Sequence, residues 1–341
     1  MKTIKIYLQR FCLVFVGFFV AFMFAEGVVR VFYPHSRDHV VPSGLFEMDD
    51  YLGWKLAAEK KVVHHSQYFE AIYQTNALGY RDKPRDIAKA PQRGRILVYG
   101  DSQIFGWGVS AEQRFSDLIE AQTPRWQLWN LAAPGYGLDQ EILSYEKQGS
   151  LFNADEVVFF VSEATLARIR YDYIYKKHKP KFVFNNNELT LKPVGAEANA
   201  WSNLLYRVFS PFYLPYFIER RLAMLKQTSK PADDETGKND NSEWRALGEL
   251  EKRILDRAKN LATERGHKMT ALTDLPKTSR MSLKKFCQER GIGYLEIDLS
   301  EGAHIRFGKE DSHWTPEAHR LIAKQLLSAL QTRIPTTAER Q

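Results

Sequence analysis

The sequence predicts an α/β protein: a three-layer αβα sandwich around a five-stranded parallel sheet, behind one N-terminal transmembrane helix. Three observations carry that expectation. From Arg95 onward short apolar runs alternate with helical patterns, as they do where parallel strands are joined by crossover helices. The chain opens with basic residues followed by a long uncharged apolar run. Its 341 residues, 44% hydrophobic and 26% charged, are enough to bury a full core.

Taken in order, Lys2, Lys5 and Arg10 precede a stretch from Phe11 to Ala25 with no charge. Residues 11–29 hold one charge, Glu26, and as a helix would rise about 28 Å, close to the hydrocarbon thickness of a bilayer. Met23 and Ala25 make a poor cleavage site, so residues 11–29 are read as a retained signal anchor. Residues 1–10 are then a basic cytoplasmic N-terminus, and everything after about residue 33 lies across the membrane. Residues 34–94 form a polar, aromatic-containing lead-in that the pattern places only as a connection from membrane to sheet.

Strands are expected at residues 95–99 (RILVY), 126–131, 156–161, 268–272 and 294–297. Between them Phe115, Leu118 and Ile119 fall at helical spacing, as do Leu247, Leu250, Ile254, Ala258 and Leu261, ending at Gly266. Thr315 and Pro316 open a last helix whose stripe is Leu321, Ile322, Leu326, Ala329 and Leu330. The main domain therefore covers 95–332, with an insertion at about 170–266, too long for an ordinary connection. The aromatics of that insertion, Trp201, Tyr206, Phe209, Phe212, Tyr213 and Phe217, are expected to pack it onto the sheet, with a substrate groove or a membrane-resting surface as the alternative. Residues 227–243 read as a polar mobile loop.

The formal net charge of +7 comes from basic residues scattered among acidic ones, which argues against a nucleic-acid partner. Cys12 and Cys287, the two cysteines, offer neither a disulfide framework nor a thiolate metal site.

Two segments carry chemistry. Gly100-Asp101-Ser102 directly follows the RILVY strand, which puts a serine at the carboxyl edge of the sheet, where ligands of open α/β sheets bind. Asp311-Ser312-His313 lies just before the last helix, where an aspartate can fix the imidazole tautomer while the ring serves as base.

The segment GDSQIFGWGVS resembles the first block of the SGNH/GDSL hydrolase superfamily, NLAAPGYGLDQ its second, and DSHWTPEAHR its closing block. TNALGYRD at 75–82, KPKFVFNNNELTLKPV near 180 and the Glu26-x-x-x-Arg30 pattern resemble a membrane-anchored bacterial subgroup. The resemblance implies a flavodoxin-like sheet with Ser102 as nucleophile, His313 as base and Asp311 as its orienter. It implies an oxyanion hole from the N–H groups of Ser102 and Gly135. It implies no metal and no cofactor. One departure is visible: the superfamily's third block supplies an Asn as a further donor, and here Ser162 or Glu163 stands at about that position, with no Asn between Asn153 and Asn185.

The expected activity is that of a serine esterase in the bacterial inner membrane, its domain in the periplasm or outside the cell. It would act on a small ester or on O-acetyl groups of an acylated glycan. Acyl transfer onto a polysaccharide, or a non-catalytic role in a polysaccharide assembly complex, stays open beside it.

Overall fold

A computed structural model describes residues 2–33, 42, 44–88, 93–175, 177–195, 208–209, 212–215, 217–218, 221, 246–300, 302–308 and 311–331. The chain begins with helix α1 (Lys2–Phe32) and two antiparallel hairpins, β1 (Phe46–Asp49) with β2 (Gly53–Leu56) and β3 (Lys61–His65) with β4 (Glu70–Gln74). Strand β5 (Gly94–Tyr99) leads into the short helix α2 (Ser102–Phe105) and α3 (Phe115–Gln122). Then come β6 (Trp126–Asn130), α4 (Leu138–Gln148), β7 (Glu156–Val161) and α5 (Glu163–Arg168). Two further hairpins follow, β8 (Tyr173–Ile174) with β9 (Lys177–His178) and β10 (Lys181–Asn185) with β11 (Glu188–Lys192). The chain closes with α6 (Glu249–Glu264), β12 (Lys268–Thr273), α7 (Lys277–Arg290), β13 (Gly293–Glu296) and α8 (Pro316–Gln331).

Five of these strands form one parallel sheet in the order β13-β12-β7-β5-β6. Every residue of β7 is buried, as a central strand covered on both faces requires. Helices α3 and α8 pack together on one face, and α4 and α6 on the other. Phe159 and Phe160 in β7 are fully buried, each contributing roughly 1.5–3 kcal/mol of apolar transfer. The order is that of a flavodoxin-like sheet: the chain leaves β5 towards β6 on one side and returns to β7 on the other. A crevice therefore opens at the carboxyl ends of β5 and β7.

The five expected strands form within a residue or two of their expected ends. The last stands one residue earlier than expected, with Ile297 buried just beyond it. In α8, Ile322, Leu326 and Leu330 are buried, while Leu321 and Ala329 are half-buried at the edge of the stripe.

Three expectations need correction. The lead-in is more than a connection: its hairpins pack over the sheet's carboxyl edge. The Trp54 indole donates to Pro134 O at 3.1 Å, the Tyr136 hydroxyl donates to Trp54 O at 2.6 Å, and the Gly108 N–H donates to the Tyr73 hydroxyl at 2.8 Å. The insertion is shorter than expected at its far end, because α6 covers β12 as an ordinary crossover helix. Phe212, Tyr213 and Phe217 of the insertion meet α1 and the residue that follows it, while Phe209 is exposed. Phe212 meets Phe22 edge-on at 5.1 Å, and Phe217 meets Tyr33 at 4.7 Å. Trp201, Tyr206 and residues 227–243 lie outside the described residues.

Within α1, Ile4–Phe32 has a mean hydropathy reaching 2.4 and is long and apolar enough to cross a membrane. Phe11, Val14, Phe15 and Phe18 are exposed, facing away from the rest of the protein. Near its end Glu26 is buried: its carboxylate accepts the N–H groups of Tyr213 and Leu214 at 2.8–2.9 Å and pairs with Arg30 Nε at 2.7 Å.

Candidate active site

Gly100 directly follows β5 and lets the chain turn at once into α2: a Cβ there would lie 2.3 Å from the Ile104 side chain. Asp101 caps α2, its Oδ1 accepting the Gln103 N–H at 2.9 Å. Ser102 is thereby held at the crevice, 8% exposed.

His313 arrives from 211 residues further along the chain, on the loop before α8. Its Nε2 is 2.8 Å from Ser102 Oγ, and its Nδ1 is 2.7 Å from Asp311 Oδ1. The same carboxylate oxygen accepts the His313 N–H at 3.0 Å, so Asp311 fixes both the backbone and the ring of the residue two places on. The Trp107 ring lies 5.6 Å from the imidazole at a 30° tilt. Arg306 Nη1 donates to Ser312 O at 2.6 Å, and Gln103 bonds both Ser312 and Trp314. A serine, an imidazole and a carboxylate in this chain of contacts can pass the serine proton to the ring and hold the imidazolium that results.

Gly135 sits opposite Ser102's turn in Ala133-Pro134-Gly135-Tyr136, closed by the Tyr136 N–H donating to Ala133 O at 3.2 Å. Proline second and glycine third, with φ +84° at Gly135, make this a type II turn. A Cβ at Gly135 would stand 3.1 Å from the Tyr175 ring, so glycine serves both the backbone and the fit. Among the described residues no acceptor takes the N–H of Ser102 or of Gly135.

Of the two residues expected at the third-donor position, Ser162 is buried and caps α5. Its hydroxyl accepts the Thr165 N–H at 3.1 Å. Glu163 is exposed in the first turn of that helix.

Three polar residues that sequence reasoning did not single out belong to the site. Gln103 follows Ser102 directly, and that adjacency was the available signal. Asp274 follows β12 at the same edge of the sheet. Burial pushes its carboxyl up to about 6, against the pull of Arg306 3.9 Å away. Arg168 ends α5 and is buried, its Nη1 2.8 Å from Asp101 Oδ2. Burial works against its charge, but Tyr175 and Asp101 more than offset that and hold the guanidinium more firmly protonated than usual.

No protein-family model and no curated protein sequence matches the chain. Solved structures are similar to it at low identity. A lipolytic protein of the G-D-S-L family from Veillonella parvula is 14% identical over 70% of this chain and 99% of its own, with a TM-score of 0.37. A psychrotrophic esterase from Pseudoalteromonas is 9% identical over 70% and 98%, with a TM-score of 0.40. A GDSL-like lipase from Bacteroides thetaiotaomicron is 8% identical over 72% and 92%, with a TM-score of 0.35.

Proposed function

We propose that this chain is a serine esterase of the SGNH/GDSL type that cleaves ester-linked acyl groups through an acyl-enzyme on Ser102. The observation that carries this is the contact chain from Ser102 Oγ through His313 to Asp311, at 2.8 and 2.7 Å, assembled at the crevice of the sheet beside two unengaged amides. Ser102 Oγ attacks the ester carbonyl carbon while its proton passes to His313 Nε2. The oxyanion is met by the N–H groups of Ser102 and Gly135. When the carbon–oxygen bond to the leaving alcohol breaks, His313 returns the proton to that oxygen. Water then attacks the acyl-enzyme, giving its proton to His313, and the carboxylic acid leaves as Ser102 takes the proton back. A hole with two donors instead of three costs about 100 to 1000-fold in rate, which leaves a slow enzyme and not an inert one.

The substrate class we favour is an O-acetylated glycan on the outer side of the bacterial inner membrane. The basic flank at Lys2, Lys5 and Arg10 favours a cytoplasmic N-terminus, and α1 is long and apolar enough to act as the anchor. The test is labelling of the full-length protein in detergent by a fluorophosphonate, which reacts only with an activated serine. Labelling that disappears in Ser102→Ala is expected. An unlabelled wild-type protein would remove the esterase reading.

A further inference from the structure

The two amides that would face the oxyanion lie on separate loops, one after β5 and one after β6, and something must hold those loops at a fixed spacing. One nitrogen spans them. Arg168 Nη1 donates to Asp101 Oδ2 at 2.8 Å, on the residue before Ser102, and to Tyr136 O at 2.9 Å, on the residue after Gly135. The other end of the same guanidinium, Nη2, donates to the Tyr175 hydroxyl at 3.2 Å, and the Tyr175 ring lies against Gly135. The Arg168 stem presses on the same loop from below: a Cβ at Gly137 would lie 3.0 Å from Arg168 Cβ. Each group that bonds this guanidinium is therefore one residue from an amide donor or in contact with it.

We propose that Arg168 is a positioning residue for the oxyanion hole, setting the separation of the Ser102 and Gly135 N–H groups. The proposal rests on the esterase reading above. A guanidinium suits the task because its fork is planar and rigid, so two bonds from one nitrogen fix a distance as well as an energy. Lysine, a flexible point charge, would keep the ion pair with Asp101 without fixing the Tyr136 carbonyl. The device comes from α5, the segment that follows β7, where a side-chain donor was expected and Ser162 is occupied as a cap.

The test uses full-length protein in detergent and compares wild type, Arg168→Lys, Arg168→Ala and Tyr175→Phe on one short-chain ester. Affinity for a boronic acid, which forms a tetrahedral anion on the serine, is measured alongside. A displacement on the scale of an ångström costs about 100-fold, so Arg168→Lys is expected to lose up to that factor in kcat. KM should stay within about twofold and the boronic acid should weaken by the same factor as kcat, because only the tetrahedral state uses the amides. Tyr175→Phe should show the same pattern more weakly. Should Arg168→Ala fail to fold, Arg168→Lys and Tyr175→Phe still decide the matter. Unchanged kcat in folded Arg168→Lys, or a kcat loss with no weakening of the boronic acid, would overturn the proposal. A wild-type protein that does not react with fluorophosphonate would instead remove the esterase reading beneath it.

Discussion

Gln103 holds His313 by both of its peptide neighbours: its Nε2 donates to Ser312 O at 3.2 Å, and its Oε1 accepts the Trp314 N–H at 3.0 Å. The residue next to the candidate nucleophile thus grips the loop that carries the candidate base, and the two cannot drift apart independently. Gln103→Ala should lower kcat about tenfold or more while leaving KM and the melting temperature little changed. Gln103→Glu keeps the acceptor for Trp314 but loses the donor for Ser312, so it should fall between the two. Steady-state kinetics on one ester, with thermal melts of each variant, checks this. An equal loss of stability and turnover would mean that the amide only holds the fold.

Ser102→Ala and His313→Ala should each abolish ester cleavage in a folded protein. The double variant should be little worse than either, as for groups that act as a unit. Multiplicative losses would show that the 2.8 Å contact between them is not used. Asp311→Asn should cost on the order of a thousandfold or more in kcat, since the ring loses the carboxylate that fixes its tautomer and steadies its charge.

At the position after β7, Glu163 is exposed and Ser162 is engaged as a helix cap. Glu163→Asn should raise esterase activity, by about tenfold, if an amide there can reach the oxyanion. Ser162→Asn preserves a capping side chain and tests the neighbouring register. No gain from either would place the limit elsewhere in the hole.

Asp274 gives a pH signature. Its carboxyl is raised by burial to about 6 from an ordinary 3.8. The folded state therefore holds that proton more tightly than the unfolded chain does. The resulting stabilisation is full below the unfolded value and is lost as pH rises through the folded one. Asp274→Asn should gain stability relative to wild type from about pH 4 to about pH 6, to on the order of 3 kcal/mol, and the difference should level off above that. Urea titrations across the range check it. A difference that stays constant would show that Asp274 is solvated like a surface carboxylate.

The parallel strands, the Gly100–Ser102 turn and the Asp311–His313 loop were legible because each is a local pattern: an apolar run, a turn residue, a helix start. What brings them to 2.8 Å is the return of the chain after β13, an edge strand three places from β5, with α8 packing against α3. The hairpins at 46–74 were not legible. β3 and β4 are half-exposed short strands, and β1 and β2 are held by distant groups such as Pro134 and Gln140, which no local periodicity announces. Arg168 was hidden for a related reason. An arginine ending a short helix reads as a solvated charge, and its partners Asp101, Tyr136 and Tyr175 come from three separate stretches of chain.

Glu26 binds the backbone of Tyr213 and Leu214 to the end of α1, with Arg30 beside it over the Tyr213 ring at 4.9 Å. With α1 in the bilayer as proposed, this clasp keeps the Tyr213–Leu214 segment at the depth of Glu26, so the one carboxylate of the span has its charge met by two amides and Arg30 and is not dehydrated alone where the helix leaves the lipid.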